Sequence, residues 1–445
     1  MSVNKDLLDK YENIIKKDRK YSTLQHLMSS LKNSDFDIDR SIVNKIEFKF
    51  NKELIHLPVT NQYHSGRCWI FAALNIMRRN MITKYKLNPS FELSQSYIFL
   101  YDKIEKCNII LEIIYNCYKK DKNYINTLEY KNIVSLLLSD GGTWNMFSAI
   151  VKKYGVCPKE YFPDNIHCRN TSKMNSVLYK VLAKGSFDIF DKHMDLKTFK
   201  KHKQNVMFEC YKILRLFIGE PPSEFQWKGK TFDPILYYQK IVKPLVNVDE
   251  YVSICCIPNY EPNTVLGQKY VFNVVLDGNH EYSRISDNKY INLDSKTFQN
   301  CIKNSISKKR TAVWFACDYS ECLFKNSVLD KTSCVLDEIF DLDFNISKEK
   351  LISSNLTIAN HAMIICGYNQ ESDNTISRWK VENSHGATES LYNGYLVMTT
   401  NWLEDYGNIA AVHISCLPES SKSQVNKKPK LWLDFWNYLG FVAKY

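Results

Sequence analysis

The chain has 445 residues, 44% of them hydrophobic and 24% charged, a globular balance with length for one large domain or two to three smaller ones. Its net charge of +11 at pH 7 and pI near 8.8 admit a basic nucleic-acid-binding face. No zinc-finger spacing, Gly-rich phosphate loop or basic–aromatic signature accompanies the charge, and lysines spread over the surface explain it as well. Fourteen cysteines without a single C-x-x-C pair favour neither a structural zinc site nor a thioredoxin-like motif.

The N-terminal sequence MSVNKDLLDKYENIIKKDRK alternates charged and apolar residues and lacks the apolar core of a signal peptide. No window approaches the roughly eighteen apolar residues that span a bilayer. A cytoplasmic protein with free thiols and no membrane partner is expected. Residues 1–50 read as an N-terminal helical arm, with amphipathic helices over 7–15 and around 24–31. Residues 51–170 read as a helical lobe. It opens through Pro58 into TNQYHSGRCWIFAA, residues 60–73. Ser65 and Gly66 supply a polar turn able to start a helix, and Trp69, Ala72, Ala73, Ile76 and Met77 then recur at helical spacing. Cys68 falls on the first turn, where unpaired N–H groups and the positive dipole end favour a thiolate. Free cysteine is also among the most buried residue types, so a structural role stays open on local grounds.

Residues 91–118 predict a long helix or helix pair capped by Ser94. DGGTW at 140–144 predicts a turn whose paired glycines, Gly141 and Gly142, allow close approaches. A helix over 146–153 should stop at Gly155. Residues 171–250 read as an inserted, mostly helical region, interrupted at 219–222. From 251 to 417 the pattern becomes β-rich, with strands expected over 251–257, 270–276, 312–317, 362–368, 379–382 and 395–399. Helices first and strands later give an α+β fold. The tail, 418–445, is polar and basic before the densely aromatic LWLDFWNYLGFVAKY. Such a terminus must pack, on the outer surface or in a functional groove.

A thiol nucleophile needs a base, and imidazole is the usual one. His361 begins the apolar run NHAMIICGY, so its ring should project from a strand end. Asn383 ends the strand in WKVENSHG, where its amide can hold one imidazole orientation. Gln62, six residues before Cys68, can join the Cys68 backbone N–H in binding an oxyanion. Each residue also has an ordinary structural reading. Together, in the order Gln, Cys, His, Asn, they form the papain-type arrangement.

The local signature Ser65-Gly66-Arg67-Cys68-Trp69 and the long Cys-to-His separation depart from papain itself. With FELSQSYIFLYDKIEKC, DGGTWNM, KKYGVCPKEYFP, GEPPSEFQW, VWFACD, RWKVENSHG and WNYLGFVA, the chain resembles the bleomycin hydrolase/aminopeptidase C family nearly end to end. The resemblance implies a papain-like cysteine protease fold with helical insertions and a C-terminal tail in the cleft. It makes Cys68 the nucleophile, His361 the acid–base, Asn383 its orienter and Gln62 the oxyanion donor. It sets Gly141, Gly142 and Ala443 against substrate, with no cofactor or metal. It further implies peptide substrates with a free N-terminus, selected by the chain's terminal carboxylate, and a homohexamer. Some members bind nucleic acid. Two departures stand out: the family's Asn-Ser-Trp-Gly is Asn383-Ser384-His385-Gly386 here, and Lys444 and Tyr445 overhang the family's end, as if to be trimmed. The alternative is a catalytically weakened papain-fold protein that binds nucleic acid or protein.

Overall fold

The two amphipathic segments near the N-terminus form helices Lys5–Ile15 and Arg19–Met28. Each is opened by a polar side chain that takes a first-turn N–H: Asn4 from Leu7 and Asp18 from Tyr21. The computed structural model describes residues 2–30, 36–268, 288–325, 327–388, 390–434 and 439. It divides into two units, Met1–Lys45 with Thr332–Asn345, and Ile46–Lys331 with Ile346–Tyr445. In the first unit the arm takes in a distant piece of chain. The Val335 N–H donates to Asp37 O at 2.8 Å, and Lys20 pairs with Asp341.

The second unit carries the chemistry. Helix α1 (Cys68–Tyr85) is buried nearly all round, with Trp69, Ile70, Phe71 and Ile76 fully inside. Helix α2 (Gln95–Lys120) is one continuous helix, and the Ser94 hydroxyl takes the Tyr97 N–H at 3.1 Å, as its sequence predicts. Helix α3 (Trp144–Tyr154) is capped by Thr143 and stops at Gly155. Gly155 has φ +75°, and a Cβ there would lie 2.0 Å from Pro234 O. The insertion forms helices α4 (Ser172–Asp191) and α5 (Leu196–Phe217), followed by an unforeseen hairpin, Phe225–Trp227 with Lys230–Phe232. Its turn residues Lys228 and Gly229 both have positive φ, the geometry of a two-residue hairpin turn.

Six strands build the centre of one large sheet: β1 (Tyr251–Cys255), β2 (Val313–Cys317), β3 (His361–Gln370), β4 (Ile376–Glu382), β5 (Tyr395–Thr399) and β6 (Gly407–His413). They lie in the order β1-β6-β2-β3-β4-β5, every neighbour antiparallel. The expected strand at 270–276 lies outside the described residues. Val265–Gln268, Lys289–Asn292 and β6 are strands that the sequence did not announce. Helix α1 packs on this sheet, where the Trp314 indole N–H donates to Trp69 O at 3.1 Å. The core between them includes Ala362, Ile364 and Cys366 of β3. The tail returns as Leu431–Leu433, a parallel neighbour of Val265–Gln268.

Candidate active site

Segments far apart in sequence meet because residues 60–62 lie along residues 384–386. The Gln62 N–H donates to Ser384 O at 2.8 Å and the Gly386 N–H to Thr60 O at 3.1 Å. Gln62 then closes a tight turn: its Nε2 donates to Ser65 O, and the Ser65 hydroxyl donates to Gln62 O, both at 2.6 Å. Ser65 is therefore used inside the turn and does not cap α1, whose first helical residue is Cys68. Arg67 stands at the cap position without a side-chain cap bond. Its buried guanidinium forks onto Asp164, both arms at 3.0 Å, and so pins the approach to the cysteine. Burial alone would raise the Asp164 carboxyl, and Arg67 holds it below the usual carboxylate range instead.

His361 is the first residue of β3, in register with Cys317 of β2. Its Nε2 meets Asn383 Oδ1 at 2.7 Å, just past the end of β4. The same Oδ1 accepts the Ser384 N–H at 2.7 Å. Asn383 Nδ2 donates to Tyr319 Oη at 3.1 Å and to His385 Nδ1 at 3.2 Å. The His385 ring stacks on His361, centroids 4.7 Å apart and planes 30° apart, while Tyr319 lies 4.8 Å away on a tilt. His385 thus covers one face of the His361 imidazole. The fourth residue, Gln62, is buried; its Oε1 takes the Ser384 hydroxyl at 2.6 Å, and Nε2 keeps one hydrogen beyond the bond to Ser65.

Cys68 is wholly buried and His361 nearly so. Burial pushes the Cys68 thiol up to about 12, against hydrogen bonding from the backbone of Ala362, Trp69 and Cys68 itself. Burial pushes His361 down to about 3; the charge of His385 adds to the fall and the Asn383 bond opposes it. The helix terminus alone suggested a thiolate. In the folded chain, desolvation outweighs it and favours neutral thiol and neutral imidazole.

Gly141 and Gly142 lie on a loop that packs against Trp69, the residue after Cys68, and is held by two buried lysines. Lys106 donates to Ser139 O at 2.8 Å, Gly141 O at 2.6 Å and Asp102 at 2.7 Å; Lys103 reaches Leu138 O at 2.6 Å and Asp140 at 2.8 Å. Asp140 also takes the Gly66 N–H at 3.2 Å, which ties the loop to the turn before Cys68. Burial would raise the Asp140 carboxyl, but Lys103 and hydrogen bonds from Thr171 and Asn175 hold it well below the usual range. Gly142 has no room for a side chain: a Cβ would sit 2.4 Å from Cε2 of Trp69, whose indole N–H is fixed on Asp140 O at 2.8 Å. Sequence reasoning missed Tyr319, Asp140 and Lys106. The Asp102–Lys106 spacing of four on a helix was the available signal for the last. Ala443, Lys444 and Tyr445 lie outside the described residues. Among the described residues no group of three or more His, Cys, Asp or Glu is set to hold a metal ion.

The model of the Peptidase C1-like family matches residues 2–440. Aminopeptidase C of Lactobacillus delbrueckii subsp. lactis is 29% identical over 429 residues, 92% of each chain. Bleomycin hydrolase of Homo sapiens is 29% identical over 416 residues, 87% of this chain and 86% of its own. The crystal structure of PepW from Lactobacillus rhamnosis HN001 superposes with a TM-score of 0.89 at 25% identity, covering 98% of both chains. The α+β fold is therefore papain-like, as the motifs implied, and the chain belongs to the Peptidase C1-like family.

Proposed function

We propose that this chain is a cysteine aminopeptidase in which Cys68 is the nucleophile, His361 the acid–base, Asn383 its orienter and Gln62 an oxyanion donor. The observation that carries the assignment is the 2.7 Å contact of His361 Nε2 with Asn383 Oδ1 at the start of a strand whose next residue, Ala362, brings its backbone toward the Cys68 sulfur. That leaves His361 Nδ1 to serve the thiol. As sulfur attacks the peptide carbonyl carbon, its proton passes to Nδ1, and the oxyanion is met by the Cys68 N–H and the remaining Gln62 hydrogen. The C–N bond then breaks and the leaving amine takes the proton from His361. Water, deprotonated by the same imidazole, cleaves the thioester and restores the thiol.

Aminopeptidase C and bleomycin hydrolase relatives support a peptide substrate, and the finer reading is a substrate with a free N-terminus, met by the chain's own tail. In support, the Leu439 carbonyl takes the hydroxyl of Tyr290 at 3.3 Å, and close to that hydroxyl Thr143, the residue after Gly142, donates to Asn288 Oδ1 at 3.2 Å. Gly141, Gly142 and Ala443 would then face the substrate, with Lys444 and Tyr445 trimmed. Exposed Leu196, Phe208 and Leu216 on α5 give a homohexamer apolar surface to cover. No described helix is long and apolar enough to cross a membrane, and buried free thiols such as Cys107, Cys157 and Cys255 suit a cytoplasmic location.

Fluorogenic aminoacyl substrates with free and blocked amino ends test the reading, with and without a thiol alkylator. Alkylator-sensitive cleavage of the free-amino substrate, lost in Cys68→Ala, is expected. Cleavage of blocked substrates alone, or cleavage that survives Cys68→Ala, would overturn it.

A further inference from the structure

The Asn383 amide is held at every polar position. Its two Nδ2 hydrogens go to Tyr319 Oη at 3.1 Å and His385 Nδ1 at 3.2 Å, and its Oδ1 meets the Ser384 N–H and His361 Nε2. His385 Nδ1 can accept only while it keeps its lone pair, which means the neutral ring with its proton on Nε2. A proton on Nδ1 changes two things at once. It sets N–H against N–H, so the Asn383 amide loses its seat, and it places a positive charge on a ring stacked 4.7 Å from His361. His361 must itself become positive as the thiol proton arrives, so the like charge falls on the step that needs it least.

Among the described groups that face His385 are the His361 ring from the start of β3, the Tyr319 ring 5.7 Å away after β2, the Asn383 amide after β4 and, across a backbone bridge, Asn61. Of these, His361 is the one that must become positive during the reaction. His385 is half-buried, so water can deliver the proton. A side chain that merely covered the imidazole would supply neither effect.

We propose that His385 is a positioning residue that makes this site acid-sensitive: neutral, it holds Asn383 against His361, and protonated at Nδ1 it releases Asn383 and disfavours the imidazolium. The inference rests on the roles of Cys68, His361 and Asn383 given above. The test is the pH profile of kcat/KM from pH 5 to 8.5 for wild type, His385→Gln and His385→Phe. Histidine ordinarily titrates near pH 6.5, so wild type should fall about tenfold from its plateau by pH 5.5. Gln accepts a hydrogen bond and does not titrate, so His385→Gln should fall less than about twofold over that range. His385→Phe should share the flat acid side but have a lower kcat with KM little changed. A purely structural role would lower the plateau or Tm and leave the acid limb in place, so an unmoved limb in His385→Gln overturns the proposal.

If no Cys68-dependent cleavage is found at any pH, the catalytic reading has failed, and ¹⁵N NMR of the Cys68→Ala protein decides the His385 claim by itself. The Asn383 side-chain amide should then shift with the midpoint of His385 and stop shifting in His385→Gln. An amide indifferent to that titration counts against it.

Discussion

Replacing Arg79 with Met should damage the site from some 16 Å away along α1, taking 1.5 Å of rise for each of the residues between it and Cys68. Arg79 reaches Glu382 and donates to Tyr395 Oη at 3.0 Å. Glu382 is the last residue of β4, directly before Asn383. One ion pair therefore joins the helix that opens with Cys68, the proposed nucleophile, to the strand that leads into Asn383. The two side chains are only 4% and 0% exposed, so water screens the pair little. Burial works against the Arg79 charge, and the Glu382 carboxylate more than restores it.

Arg79→Met strands a carboxylate in a dry site and should cost about 3–5 kcal/mol, a large part of the roughly 5–15 kcal/mol available to a typical native chain. Glu382→Leu strands the guanidinium and should cost about as much. The double variant removes both charges and should cost less than either alone, because the pair's attraction and its desolvation largely cancel. Urea midpoints at equal slope read these differences. At temperatures where Arg79→Met remains folded, kcat/KM should still fall at least tenfold, since Asn383 loses its anchor. Single variants costing under about 1 kcal/mol, or a double that equals their sum, would refute the argument.

Gly142→Ala should lose about 1–3 kcal/mol by overpacking, because the new methyl meets an indole that Asp140 holds in place; Tm and kcat/KM should fall together, and unchanged values for both would show that Trp69 can yield. The Asp102–Lys106 pair predicts a particular pH dependence of stability. Burial raises Asp102 to about 6 and lowers Lys106 to about 8, against their mutual attraction. The unfolded state binds fewer protons than the native state between about pH 4 and 6, and more between about pH 8 and 10.5. Stability relative to an Asp102→Leu/Lys106→Met double variant should therefore fall across the first window and rise across the second. A difference that stays flat across both windows would mean the pair is not desolvated in solution.

How much of this was legible beforehand follows from where each signal lives. Local chemistry announced itself: Ser94 and Gly155 bound their helices as expected, and the order Gln62, Cys68, His361, Asn383 named the residues proposed for the site before any coordinate. What stayed hidden depends on pairing across the chain. The short strands Val265–Gln268 and Lys289–Asn292 exist because they hydrogen-bond one another, and neither carries a strong pattern alone. Ser65 looked like a helix cap, but Gln62 claims it for the preceding turn. No sequence signal marks Arg67, Lys103 or Lys106 as buried, yet each is buried against a carboxylate more than thirty residues away or one helical turn away. A sequence shows a charge; only the fold shows its partner.

The same distinction bears on the charge state of the catalytic pair. A helix terminus and a nearby imidazole argue for a thiolate–imidazolium pair, and desolvation argues against it. Burial raises the Cys68 thiol and lowers the His361 ring, so both shifts oppose moving the proton from sulfur to imidazole. Attraction between the thiolate and the imidazolium acts the other way. If desolvation prevails, the pair stays neutral in the closed chain and the proton moves only when a substrate carbonyl begins to accept the sulfur's electrons. Iodoacetamide, which is uncharged and makes no use of the oxyanion donors, should then alkylate Cys68 slowly at pH 6. The rate should climb with pH, with no plateau on the acid side. A fast, pH-independent rate between about pH 5 and 8, abolished in His361→Ala, would show that the ion pair exists without substrate and that burial has been outweighed.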